Sequence, residues 1–142
     1  KIAKALEVTV EELIEPCIEI RIDFDLFKSN VCHQLKEMGD LEFITYILTN
    51  NKIREYEKKK WYPECLYLLA MIDYLSRIND IPLYSDYDEL RKNKLKNIIY
   101  PASVVMLNKA LKNKNIKKEA FEESIPEFKR FNIVESDIRN VI

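Results

Sequence analysis

His33 is the only histidine in the chain, so a histidine pair acting as acid and base is excluded, and a histidine-assisted nucleophile could form only here. Cys32, its neighbour, cannot be that nucleophile on a regular helix, because adjacent side chains point about 100° apart. Cys17 or Cys65 could approach it in space. Without such a partner, His33 reads as a partly buried side chain on a helix shoulder. Three scattered thiols and one imidazole lack the Cys-x-x-Cys spacing common in zinc sites, and a single glycine cannot build a phosphate loop. No metal and no cofactor are expected. The carboxylates Asp23, Asp25, Asp40 and Glu42, and later Asp86, Asp88 and Glu89, could serve as paired acids or hard-metal ligands. Helix starts attract Asp and Glu for electrostatic reasons alone, which explains most of them more simply. No catalytic residue is assigned, and the chain is expected not to be an enzyme.

Lys58-Lys59-Lys60 followed by Trp61 and Tyr62, with Arg54 one turn earlier, is the nearest thing to a basic and aromatic nucleic-acid patch. Glu55, Glu57 and Glu64 dilute it, and lysines at a helix end favour the helix dipole without any ligand, so a solvated face is expected. Arg91-Lys92-Asn93-Lys94-Leu95-Lys96 takes the same reading. Aromatic residues are dense between the two most apolar segments. Trp61, Tyr62, Tyr67, Tyr74, Tyr84, Tyr87 and Tyr100 form a candidate partner interface, since tyrosine joins a large apolar ring to a hydroxyl and is favoured at such surfaces. The same residues also fit a core rim in which each hydroxyl reaches water, and both readings stand.

The elements that must hold these residues are helical. Residues 1–7 read as the end of a helix, and Thr9-Val10-Glu11-Glu12 is a capping box that starts another. Pro16 disfavours helix at Glu15, and the alternation over residues 17–22 reads as an extended linker or short strand. From Phe24 the apolar residues Phe27, Val31, Leu35 and Met38 recur at three and four, with Asp23 as the cap and Gly39 as a left-handed stop. Asp40 is placed to cap a second helix over residues 41–50, and a polar helix follows over 52–60. Pro63 opens the most apolar segment, 65–78, which covers more than one helical face and is expected to be the central core helix. Asn79-Asp80-Ile81-Pro82 ends it. A short helix is expected from a cap at Ser85 or Asp86 to about residue 96, then a helix over 102–112 opened by Pro101. A further stretch over 117–131 is kinked or restarted by Pro126, and Asn132 with Glu135 caps a last helix to 142.

At 142 residues the chain has the size of one domain, and 47% apolar with 33% charged residues is the mixture of a globular protein rather than a disordered one. One glycine argues against a many-stranded fold, which spends glycine on turns and bulges. A net charge of −1 gives no whole-molecule attraction to nucleic acid or anionic lipid. The longest apolar run, 65–72, stops at Asp73, so no membrane span is expected, and no signal peptide is visible. Three unpaired cysteines suit a reducing compartment, which makes the cytoplasm the expected location. Opening without methionine and inside an amphipathic pattern, the chain is expected to be a piece of a longer protein.

Lys1-Ile2-Ala3-Lys4-Ala5-Leu6-Glu7-Val8-Thr9-Val10-Glu11-Glu12-Leu13-Ile14 resembles the end of a lambda-repressor-like helix-turn-helix domain of the Xre/Cro type, in which Ile-Ala-x-Ala-Leu, a short turn and a capped helix follow one another. The match covers about one tenth of the chain. The resemblance implies a bacterial transcriptional regulator whose recognition helix lies upstream of Lys1, so DNA would be bound only through that upstream domain. Residues 1–16 would be the tail of the DNA-binding domain, 17–23 the linker, and 24–142 a helical domain for dimerisation or capture of a protein partner. Trp61-Tyr62-Pro63 and Ile125-Pro126-Glu127-Phe128 also resemble helical regions of such regulators, some of them antitoxins, in which case the partner would be a toxin. The expected fold is all-α, an irregular multi-helix bundle with a central apolar helix, preceded by a short helical hairpin and an extended linker. The alternatives are a small helical enzyme or ligand-binding domain, marked by a deep pocket holding His33 and a carboxylate, and an adaptor unconnected with transcription.

Overall fold

A computed structural model describes residues 21–111 and 115–135. The expected hairpin over 1–16 and most of the linker fall outside these residues; residues 21–23 run without regular structure into the first helix. Seven α-helices and two short 3-10 turns follow among the described residues, with no strand and one isolated parallel bridge between Ile99 and Ile133. The all-α bundle inferred from periodicity is the observed architecture. No helix among the described residues is long and apolar enough to cross a membrane.

Helix α1 (Phe24–Met38) buries Phe27, Val31, Cys32 and Leu35, the stripe its spacing demands. Asp23 caps it, its carboxylate accepting from the Asp25 N–H at 3.1 Å. Gly39 ends the helix at φ +89°, ψ 165°, its N–H donating to the Leu35 carbonyl at 2.8 Å. The left-handed helical stop expected there is instead an extended conformation with positive φ, which sends the chain straight into α2 (Asp40–Thr49). Because Asp40 is already inside α2, its carboxylate does not cap the helix. It accepts from the Asn79 side-chain amide at 2.9 Å, tying the start of α2 to the end of the central helix. Asn51, at φ +53°, turns the chain into α3 (Lys52–Lys58), which buries Ile53 completely.

Helix α4 (Tyr62–Ile78) is the centre of the molecule. Every residue from Glu64 to Asp73 is buried, as are Leu75 and Ser76, because α1, α2, α3 and the C-terminal helix all pack around it. Each fully buried Leu or Ile there contributes roughly 1.5–3 kcal/mol of transfer free energy. Around the α1 end of this core, Phe24, Phe27 and Phe128 surround the Tyr67 ring at centroid distances of 5.8, 6.0 and 5.0 Å.

Beyond Asp80, at φ +56°, the structure departs from the expected helix to residue 96. Two 3-10 turns, Ser85–Tyr87 and Leu90–Lys92, take its place, and neither has a side-chain cap. Tyr87 in the first turn and Leu90 in the second are both buried. The following segment is pulled out straight by backbone pairing with a distant one. The Leu95 N–H donates to the Phe131 carbonyl at 3.1 Å, the Ile99 N–H to the Asn132 carbonyl at 2.9 Å, and the Val134 N–H to the Ile99 carbonyl at 2.9 Å.

Helices α5 (Ala102–Leu111) and α6 (Asn115–Glu122) pack on one another, and Pro126 restarts the chain as the one-turn helix α7 (Pro126–Lys129). The last helix expected to residue 142 falls outside the described residues beyond Glu135, whose N–H is held by the Ser124 hydroxyl rather than by Asn132. Asn132 sits at φ +68° with its N–H on the Lys129 carbonyl, closing α7, while the Glu135 carboxylate turns inward to accept from Tyr67.

Candidate functional site

Burial divides the seven aromatic residues of the candidate interface. Tyr67 has no exposed surface and Tyr87 has 3%, so neither can touch a partner; both belong to the core. Tyr67 stands in the fully enclosed stretch of α4, and Tyr87 lies under the Arg54 guanidinium, 4.9 Å from its ring centre. Arg54 also donates to the Asp86 carbonyl at 2.8 Å, which locks the Tyr87 turn onto α3. Tyr74 and Tyr100 are half-buried beneath Arg77 and Lys117. Trp61 is half-buried, stacked on Tyr56 at 5.8 Å with Arg21 and Lys59 over its ring. Tyr62 and Tyr84 alone are well exposed, at 44% each. The aromatic residues are thus partly core and partly rim, and two of seven present open surface.

His33 is exposed rather than partly buried, because α1 turns it away from the stripe that carries Cys32; its imidazole lies 3.2 Å from Glu37 one turn on. Cys65 is wholly buried, so it cannot reach His33. Burial pushes the Cys65 thiol up to about 12 and also raises the Cys32 thiol, so both stay protonated at neutral pH and are poor nucleophiles. No group of three or more His, Cys, Asp or Glu among the described residues is arranged to hold a metal ion.

Three buried polar clusters went unseen in the sequence. In the first, the Tyr67 hydroxyl donates to the Glu135 carboxylate at 2.8 Å and meets the Cys32 sulfur at 3.8 Å, while the Ser124 hydroxyl accepts from the Glu135 N–H at 2.9 Å. Burial, and next the charge of Glu135, hold the Tyr67 phenol well above its ordinary value. A cavity of about 320 Å³ adjoins this cluster, walled by α1, α5 and α6. His33 does not line it. In the second, Asp73, 1% exposed, accepts two hydrogen bonds from Arg91, at 2.8 and 2.9 Å, and a third from Arg130. In the third, Arg21 forms a bidentate pair with buried Glu64 at 3.0 and 3.1 Å, fastening the chain before α1 to the start of α4. Glu64 and Asp73 both interrupt an apolar helix. An acid on a face otherwise made of Leu66, Leu69 and Ala70 signals a buried charge that must have a cationic partner.

Helix α5 buries none of its residues among the described part of the chain. Ser103, Met106, Leu107, Ala110 and Leu111 recur at the i, i+3, i+4, i+7, i+8 spacing of a helix-packing face, and all five are exposed. Met106 is 69%, Leu107 50% and Leu111 62% open to solvent. That face carries no charged residue. The half-buried residues, Val104 and Asn108, lie on another stripe of the helix.

Compared with protein-family models, with curated protein sequences and with solved structures, the chain has no match.

Proposed function

We propose that this chain is the C-terminal helical region of a bacterial helix-turn-helix transcriptional regulator of the Xre/Cro type, and that it binds rather than transforms its target. The observation that carries the binding half is the α5 face. A helix face with packing periodicity, two small residues that permit close approach, three large apolar ones and no charge has the composition of a helix–helix interface, yet among the described residues it stands open. A second copy is the occupant proposed. An uncharged face sets up no like-charge repulsion when it meets itself across a two-fold axis, which is the commonest arrangement of soluble oligomers. The DNA-reading half rests on the resemblance of residues 1–14 and on nothing in α1 to α7.

In this reading dimerisation through α5 joins two upstream DNA-reading heads and sets their spacing on a palindromic site. Capture of a different protein, a toxin if the regulator is an antitoxin, would use the same face and compete with self-association. Among the described residues, the buried, protonated thiols of Cys32 and Cys65 and the exposed His33 supply no activated nucleophile, which supports the binding reading; Cys17 lies outside those residues. Light scattering on the protein alone and mixed with the products of neighbouring genes tests this: a dimer or a stable complex is expected. A strict monomer with no partner would contradict it. Coding sequence upstream of Lys1 without a helix-turn-helix domain would remove the DNA-binding part.

A further inference from the structure

Part of the basic run 91–96 lies in one groove with the residues that bracket the run 58–60. Glu57 and Tyr62, which bracket the first run, line the same groove as Lys94, Leu95 and Lys96 of the second, with Leu66 at its apolar base; the groove encloses about 370 Å³. Lys58, Lys60, Lys94 and Lys96 are exposed, and none has a carboxylate within ion-pair distance among the described residues. Glu57, the acid on the wall, is already paired with Arg54 at 2.8 Å. In a chain of net charge −1, Lys94 and Lys96 therefore set uncompensated positive charge on the wall of one groove, where low-dielectric walls strengthen the local field.

We infer that this groove docks an acidic peptide segment of a partner protein, with an apolar side chain entering between Tyr62 and Leu66 and carboxylates along the lysine rim. An apolar floor needs an apolar anchor, and a rim of flexible point charges suits side-chain carboxylates. Nucleic acid fits less well. Only one exposed ring, Tyr62, offers a stacking platform here, and the nearby arginines that could grip phosphate are committed elsewhere: Arg91 to Asp73 and Asp88, Arg54 to Glu57 and the Asp86 carbonyl. The inference rests on the partner-binding reading above but uses a surface other than α5, so its failure leaves self-association standing.

The test is fluorescence anisotropy with a short labelled peptide of Asp and Glu around a central Phe, its Asn and Gln counterpart, and oligo-dT as a competitor. The acidic peptide should bind, weaken as salt is raised, and weaken about tenfold or more to the Lys94→Glu/Lys96→Glu variant. Lys36→Glu/Lys118→Glu, which makes the same change in net charge at exposed positions on α1 and α6, should bind as the wild type does. Circular dichroism should be the same for all three proteins. Equal loss in both variants, equal binding of the uncharged peptide, tighter binding of oligo-dT, or no binding of the acidic peptide would each overturn the inference.

Discussion

Asp73 lies 18 residues from Arg91 and 57 from Arg130, and its carboxylate holds both guanidiniums against the central helix. Replacing it by Asn removes the one carboxylate both guanidiniums share and leaves Arg91, 10% exposed, with only the exposed Asp88 as counter-ion. The unfolding free energy of Asp73→Asn should fall by about 3–5 kcal/mol in urea titration, and a loss below about 1 kcal/mol would mean that the guanidiniums find other partners. Tyr67→Phe removes a buried hydrogen bond to the Glu135 carboxylate and should cost about 1–3 kcal/mol at neutral pH. The same residue sets an alkaline limit. Burial and Glu135 raise its folded-state value above the ordinary 10.0, so its contribution is fully present below about pH 10 and is lost as pH rises through the folded value. Stability measured across that range should fall less steeply in Tyr67→Phe than in the wild type; parallel curves would contradict the assignment. In sequence Tyr67 and Tyr62 look alike, since both follow Pro or apolar residues in a helix-forming run, and only the surrounding helices decide which ring is enclosed.

Helices whose apolar stripes repeat at three and four, α1, α2 and α4, were legible because that signal is local, and so were the punctuation marks Asp23, Gly39, Pro63 and Pro126. Two segments were not. The run after Asp80 has helix caps in its sequence, but Arg54 reaches across from α3 to the Asp86 carbonyl, and Leu95 and Ile99 gain backbone partners in the distant segment Phe131 to Val134. Neither influence is visible within the segment. Similarly, the sequence predicted the helix over 102–112 but not whether other elements would cover it. Gly39 gives a sharp test of the α1–α2 joint. An added Cβ would meet nothing within 4 Å, so Gly39→Ala isolates the backbone term at φ +89°. Because this extended positive-φ region is nearly exclusive to glycine, the variant should lose about 1–3 kcal/mol in chemical denaturation, and an unchanged midpoint would show that the joint relaxes.

The described residues form one core around α4, to which the segment before α1 is fastened by Arg21 and Glu64 and the C-terminal segment by Tyr67 and Glu135. Among the described residues α5 presents an uncovered apolar face, and the proposed assembly of two copies depends on it. Leu107 and Leu111 stand one turn apart on its uncharged face and touch so little of their own chain that Leu107→Glu/Leu111→Glu should change folding stability by no more than about 0.5 kcal/mol each. Sedimentation equilibrium of the wild type and of this double variant, with folding checked by circular dichroism, is the most direct measurement. A dimeric wild type and a folded, monomeric variant are expected. A wild type that stays monomeric at every concentration, or a variant that dimerises as tightly as the wild type, would contradict the proposed role of α5.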